Sequence, residues 1–491
     1  MKMIKSLVLG SAAGLLAMSG AQAADLPVKA KAVEYVKVCS LYGAGFYYIP
    51  GTDTCIKLGG YLRVDVLGNT NSDDTGNIGP YANNRYTNAY TWRSREDLNI
   101  DTRTATEYGV VRTFWDATFS WTTGDGVAQS DPVGLYYAFI QFAGFTMGKA
   151  ISQFSAPWTA YPANIFDGLV GGGGDVTGVN QFSYTADFGQ GVSATISAQD
   201  QSSYYQAGTY NVSGFTAAGL AASPLAIYGT NGIAGGTAAP DIVGMIRVDQ
   251  AWGLFQASGA AHLNHAGYYS GIGTGLTSGL ETAGHPDDVW GWAGQLALSI
   301  KNIPTGPGDT INIQAVYTDG ATRYNIQDLA SQAGAAAIYG GSSVAYQSLG
   351  IGFAPDTVFG TGTSQQLVQT WGMRGGYTHN WDPHWASSIY GAYAAINYNG
   401  ASKALICANV AGQALLTTCN PDYSIGQLGF TTSWTPVKGL SFTGDVTWTQ
   451  LSQNYAGLLT AGNTAIGKPN VAYEMKNQDT VLFMLRAQRN W

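Results

Sequence analysis

The sequence predicts an all-β protein, a transmembrane antiparallel β-barrel of about sixteen strands. Three observations carry this expectation. Beyond the first two dozen residues no apolar run is long enough for a spanning helix, so a membrane position requires a closed barrel. Charged residues are 11% of the chain, against about 25% in soluble proteins, and a lipid-facing wall excludes charge. Finally, stretches of about ten alternating residues recur, joined by connections that alternate between long and short.

Residues 1–23 read as a signal peptide. Lys2 and Lys5 form the charged start, Leu7 to Met18 the apolar stretch, and Ala21-Gln22-Ala23 the cleavage box. The apolar stretch is too short to span a bilayer. Of 23 Lys+Arg, Lys2 and Lys5 fall in this leader, leaving 21 against 31 Asp+Glu, a mature net charge of −10. That balance argues against nucleic acid as a partner. The 30 Tyr and 13 Trp suit aromatic girdles at two interfaces. A Gly- and aromatic-rich secreted β-protein would share this composition.

A periplasmic N-terminal segment is expected over 24–54, followed by the barrel over 55–491. It contains Cys39, which with Cys55 flanks a Gly/Tyr-rich stretch; Cys407 and Cys419 flank a short loop. An even count in an exported chain suggests two disulfides. Three pairings are open, and proximity favours the local ones.

Strands are expected at 55–68, 90–102, 105–119, 133–143, 144–152, 179–188, 191–201, 241–251, 253–264, 288–302, 309–321, 365–381, 384–398, 423–435, 438–452 and 477–491. In the first, Ile56, Leu58, Leu62, Val64 and Val66 share one face, while Lys57, Tyr61, Arg63 and Asp65 share the other. Sixteen strands leave an aqueous lumen. Short turns such as Ala143-Gly144 and Gln190-Gly191 belong to the periplasmic side, and long loops lie outside. The final strand ends in Trp491, which resembles the terminal aromatic of outer-membrane assembly signals. A Gram-negative outer membrane is the expected location, with its lipid, lipopolysaccharide and assembly machinery as partners.

The second strand has an unusual face. Arg93, Arg95, Asp97, Asn99, Asp101 and Arg103 share one phase. Three arginines in a row cannot face lipid at midplane, where each would cost about 2–4 kcal/mol, so this face is expected to line the lumen. Arg112 and Asp116 on the third strand extend the wall, and Arg63 and Asp65 flank it. The third long loop, about 153–178, carries Asp167, Gly171 to Gly174 and Asp175. Glycine frees the backbone to fold inward. Asp167 and Asp175 opposite Arg93, Arg95 and Arg112 would set a transverse field across an eyelet. Lys149 shares a phase with Phe145 and Met147, which leaves its direction open.

The segment 39–65, CSLYGAGFYYIPGTDTCIKLGGYLRVD, resembles the start of alphaproteobacterial porins. The segment 138–149, AFIQFAGFTMGK, resembles the stretch before their constriction loop. The resemblance covers the mature chain, more loosely through 202–240 and 322–364. It implies a sixteen-stranded barrel, a homotrimer, and passive transport of small hydrophilic solutes through a pore narrowed by the third loop. The Cys407/Cys419 pair lies outside that pattern.

The same residues bear on other functions. A substrate-preferring channel for sugar, carboxylate or phosphate is the alternative. No enzyme is expected: the sequence offers no Gly-x-Ser-x-Gly elbow with partners, no HExxH and no phosphate loop after Gly174. His262 and His265 sit on opposite strand faces, so no metal or other cofactor is expected. A plugged receptor would need a domain of about a hundred residues before the barrel, and about thirty precede it. A soluble adhesin or lectin would extract into buffer without detergent.

Overall fold

A computed structural model describes residues 37–70, 83–124, 127–130, 133–158, 161–166, 168–173, 178–200, 202, 207–228, 235–269, 281–326, 335–410 and 414–491. The expected leader lies outside the described residues, as do Asp167 and Asp175.

Sixteen strands form the ring: β1 (Cys55–Asn69), β2 (Thr91–Thr106), β3 (Gly109–Gly124), β4 (Gly134–Phe142), β5 (Phe145–Ala150), β6 (Val179–Gly189), β7 (Val192–Gln199), β8 (Asp241–Gln250), β9 (Gly253–Asn264), β10 (Val289–Lys301), β11 (Thr310–Asp319), β12 (Gln366–Asn380), β13 (Trp385–Tyr398), β14 (Tyr423–Val437), β15 (Leu440–Gln453) and β16 (Gln478–Asn490). Each pairs antiparallel with its neighbours, and β16 pairs with β1 from Tyr61↔Asn490 to Asn69↔Leu482. That seam closes the sheet and leaves no edge to pair with lipid-exposed backbone.

The alternation places side chains as expected. Leu62, Ile196, Ile246, Leu296, Leu428 and Leu485 are each more than half exposed on the outer wall, the mark of a surface solvated by acyl chains rather than water. Their inward neighbours are polar: Asp65, Gln199, Gln256, Gln295, Gln314 and Thr447 are buried inside the ring. Near the short turns Trp385, Trp434 and Phe442 stack side by side on the outer face, one arc of an aromatic girdle. The backbone amide of Trp491 donates to the Gly60 carbonyl, and its ring lies over Gly60 across the seam.

Several boundaries differ from the sequence expectation, among them the end of β3 at Gly124 rather than 119. The break between β2 and β3 falls at Glu107-Tyr108 rather than 103–104. Pairing runs on to Thr106↔Gly109, with Arg112 of β3 bonding Asp101 of β2, and Gly109 supplies the positive φ of the turn. Strand β14 also extends to Val437, through a register irregularity after Trp434.

The long loops carry structure that alternation does not reveal. Segments Ala335–Gly340, Ser348–Phe353, Lys468–Met475, Ala456–Asn463 and Ala414–Thr418 form a second, five-stranded sheet. It caps the outer mouth together with the helices Ala217–Ala222 and Gly400–Val410. Tyr228, Phe353, Tyr398 and Tyr455 pack together in its core, each at most 4% exposed. Cys407 bonds Cys419 and ties the second helix to the cap sheet; Cys39 bonds Cys55 at the other end of the barrel.

Lys468 is buried in this cap. Its ammonium donates to the Gln347 side chain and the Asn83 carbonyl and sits 4.2 Å from the centre of the Tyr339 ring. Burial pushes its pKa down from 10.5 to about 8. The unfolded cap therefore holds more protons than the folded one between pH 8 and 10.5, so cap stability rises with pH across that window. Proteinase K cleavage within the loops should slow over this range in the intact protein. Lys468→Met should abolish the dependence; a persistent dependence would assign it elsewhere.

Candidate functional site

The lumen has two unlike walls. On β16, β1, β2 and β3, six arginines face inward: Arg486, Arg63, Arg93, Arg95, Arg103 and Arg112. Four aspartates face them: Asp65, Asp97, Asp101 and Asp116, each 8% exposed or less. Asp65 is shared by Arg93 at 2.6 Å and Arg486 at 2.7 Å. Asp101 is shared by Arg103 at 2.8 Å and Arg112 at 3.0 Å. Arg63 instead donates to Gln488, and Arg95 to Ser120 and the Tyr136 hydroxyl. Asp116 lies beside Asp97, not beside an arginine.

The N-terminal segment reaches the same wall from the periplasmic end. The strand Tyr47–Tyr48 pairs with the start of β1. Phe46 places its ring 4.9 Å from the Arg103 guanidinium and 5.9 Å from the Lys57 ammonium. These contacts hold the disulfide-closed turn against the inward side of the barrel rim.

The opposite wall is covered by the third loop. The loop leaves β5 beside Ser152, which bonds Gln199. Phe154 is fully buried against Tyr324, and its carbonyl accepts from Gln256 and Gln295. Further on, Asn312 holds the Pro162 carbonyl, and Thr431 holds that of Ala163. The Ile165 amide donates to Asp445 at 2.8 Å. Gln427 accepts from the Val170 amide and donates to the Gly168 carbonyl. The guanidinium of Arg374 donates to the carbonyls of Leu169 and Gly173, at 2.9 and 3.0 Å. Gly171 and Gly172 both donate to the Asn325 carbonyl. A loop that crosses the lumen must satisfy its backbone groups there, and inward polar side chains of β9 to β15 do so.

Gly171 shows why glycine is needed. Its φ is +88°, and a Cβ there would lie 2.4 Å from the Met373 carbonyl oxygen. The Phe166, Leu169 and Val170 side chains bury against the barrel interior and the cap core. Tyr161 of the same loop stands close enough to Arg63 for their charges to interact. The loop thus spans from the arginine wall to the far side.

The sequence-derived residues sort as follows. Arg63, Arg93, Arg95, Arg112 and Asp116 share one inward wall. Asp167 and Asp175 lie outside the described residues. Lys149 faces outward: it pairs with Ala138 and Asn180, while Thr146 on the inward phase bonds Gln141. The loop's anchors, Gln314, Arg374, Gln427 and Asp445, were not singled out from sequence. Their signal is a long polar side chain on the inward phase of an otherwise small-residue strand.

A closed sixteen-stranded ring, apolar outside and polar within, narrowed by an inward loop, defines an outer-membrane channel. The sequence matches the porin subfamily over residues 25–484, and the chain belongs to this family. It is 32% identical to porin Omp2b of Brucella neotomae over 333 residues, 64% of this chain and 85% of that protein. Porin Omp2b of Brucella suis is 36% identical over 261 residues, 51% of this chain and 64% of the other. In structure it resembles the outer-membrane channel DcaP of Acinetobacter baumannii, with a TM-score of 0.56 at 14% identity, covering 90% of this chain and 99% of that one. The protein is an outer-membrane porin.

Proposed function

We propose that the gap between the third loop and the β16–β3 wall filters small hydrophilic solutes by size and charge during passive diffusion. The observation that carries this reading is the asymmetry of the two walls. One carries the third loop, its backbone held by inward polar groups of β9 to β15, and the other carries six arginines against four aspartates. A permeating solute meets fixed, partly neutralised charge along the β16–β3 wall. Neutralising Arg93, Arg95 and Arg112 together leaves three arginines against four aspartates. The reversal potential in a salt gradient across a planar bilayer should then move toward cation preference. An unchanged potential would remove these residues from the filter.

The chain works as a homotrimer in this reading, and Lys149 supports it. Its ammonium donates to the Leu135 carbonyl; a charge on the outer wall costs up to about 2–4 kcal/mol against lipid, and less inside a contact between protomers, where further polar groups can meet it. Lys149→Leu should therefore lower the temperature at which a heat-labile oligomer dissociates on detergent gels. If Lys149 faced lipid, the same substitution would stabilise the barrel instead, and the two signs separate the alternatives. Residues 1–23 are removed on export, with cleavage after Ala23, and Trp491 serves in assembly; N-terminal sequencing of the outer-membrane form tests the first.

A further inference from the structure

We propose that Arg63 and Arg95 form a binding subsite for an oxyanion, a carboxylate or phosphate group carried by a permeating solute. The proposal rests on reading the lumen as the solute path. The two residues lie directly opposite one another in the β1–β2 ladder, with Cβ atoms about 5 Å apart at such positions. Like charges placed directly across a ladder repel. Elsewhere on this wall the repulsion is relieved by a carboxylate: Asp65 bridges Arg93 and Arg486, and Asp101 bridges Arg103 and Arg112. Among the described residues no carboxylate makes an ion pair with Arg63 or Arg95. Asp97 acts on both, and Asp65 on Arg63, only at longer range.

The neutral partners leave the right donors spare. Arg63 uses Nε on Gln488, and Arg95 uses Nε on Ser120 and Nη1 on Tyr136. Both terminal nitrogens of Arg63 and Nη2 of Arg95 keep N–H groups for a ligand. The Tyr136 hydroxyl accepts from Arg95, so its own proton is free to donate. The Arg63 guanidinium is held 4.4 Å from the Tyr61 ring centre, which fixes the plane of its fork. Two oriented guanidiniums and a hydroxyl match the oxygens of a carboxylate or phosphate. An oxyanion would occupy the place that Asp65 and Asp101 fill for the other two arginine pairs.

Inorganic phosphate is the probe, added to the purified protein in planar bilayers bathed in potassium chloride. Phosphate should reduce the chloride-carried current saturably. Arg63→Gln and Arg95→Gln should each weaken that effect about tenfold or more, the loss expected for one charge-assisted contact. Arg489→Gln, which alters an arginine on the outward phase of β16 opposite Leu62, should leave it unchanged. Arg63→Lys keeps the charge but loses the fork. It should weaken the phosphate effect while the reversal potential stays at the wild-type value, which separates a binding site from bulk lumen charge. Heat-modifiable gel mobility confirms that each barrel is folded. A current that phosphate does not saturate, or equal sensitivity in wild type and the Arg63 and Arg95 variants, overturns the subsite and leaves the porin reading intact. Loss of all channel current in the wild type would sink the porin reading itself.

Discussion

Gly171→Val should raise single-channel conductance and the size of sugar that enters proteoliposomes, while leaving the barrel folded. The residue sits at φ +88° with the Met373 carbonyl 2.4 Å from the position a Cβ would take. A β-branched residue pays about 2 kcal/mol for the left-handed conformation alone, and main chain cannot rotate away as a side chain can. The neighbouring anchors are hydrogen bonds with Gln314, Arg374, Gln427 and the Asn325 carbonyl. Each contributes about 1 kcal/mol net, or somewhat more where charged, so the strain offsets one or two of them. A loss of about 2 kcal/mol shifts the ratio of docked to undocked loop about thirtyfold. The sixteen strands do not depend on the loop for their pairing, and melting in detergent should barely move. Wild-type conductance in Gly171→Val would mean that this segment does not narrow the path.

The barrel was legible because a strand between lipid and water must alternate, and that constraint is local. Leu62, Arg63, Val64 and Asp65 declare their faces without knowledge of any distant residue. The arginine wall followed from the same rule, since no lipid-facing row could hold Arg93, Arg95 and Arg103. The pairing of those arginines was not legible. Asp65 meets Arg486 across the seam, 421 positions away in sequence, and nothing near Asp65 announces it. The cap is the clearer failure of local reading. Leu349 and Met475 pair in parallel from two different loops, and Asn83 of a third loop donates to the Tyr339 carbonyl. Segments such as 335–340, AAAIYG, gain their burial only from these remote partners, so periodicity within one loop is silent. The third loop falls between these cases. Its glycines suggested an inward fold, but the wall that receives it is spread over β9 to β15 as isolated polar residues. Each of these, Arg374 or Asp445 for example, reads as an unremarkable lumen group until the loop lies on it.

The largest stability effect on the arginine wall is expected from Asp65. Its carboxylate is 2% exposed and holds Arg93 through Nε and Nη2 on one oxygen and Arg486 through Nε on the other. Asp65→Leu leaves two largely buried guanidiniums facing each other with no anion between them. Removing one partner of a buried pair costs about 3–5 kcal/mol, far more than the loss of an exposed ion pair. The urea midpoint of the purified barrel should fall accordingly. Its reversal potential should move toward anions, because six inward arginines then face three aspartates. The double variant Asp65→Leu, Arg93→Met removes the repelling partner and replaces the ion pair with apolar volume, an exchange that is often neutral. It should recover most of the midpoint. It also restores the wild-type excess of two positive charges, five arginines against three aspartates, so the reversal potential should return as well. Recovery of stability without recovery of selectivity would mean that the charge sensed by ions lies elsewhere in the lumen. Recovery of neither would show that Asp65 acts through the backbone of the β16–β1 seam rather than through the guanidiniums it bridges.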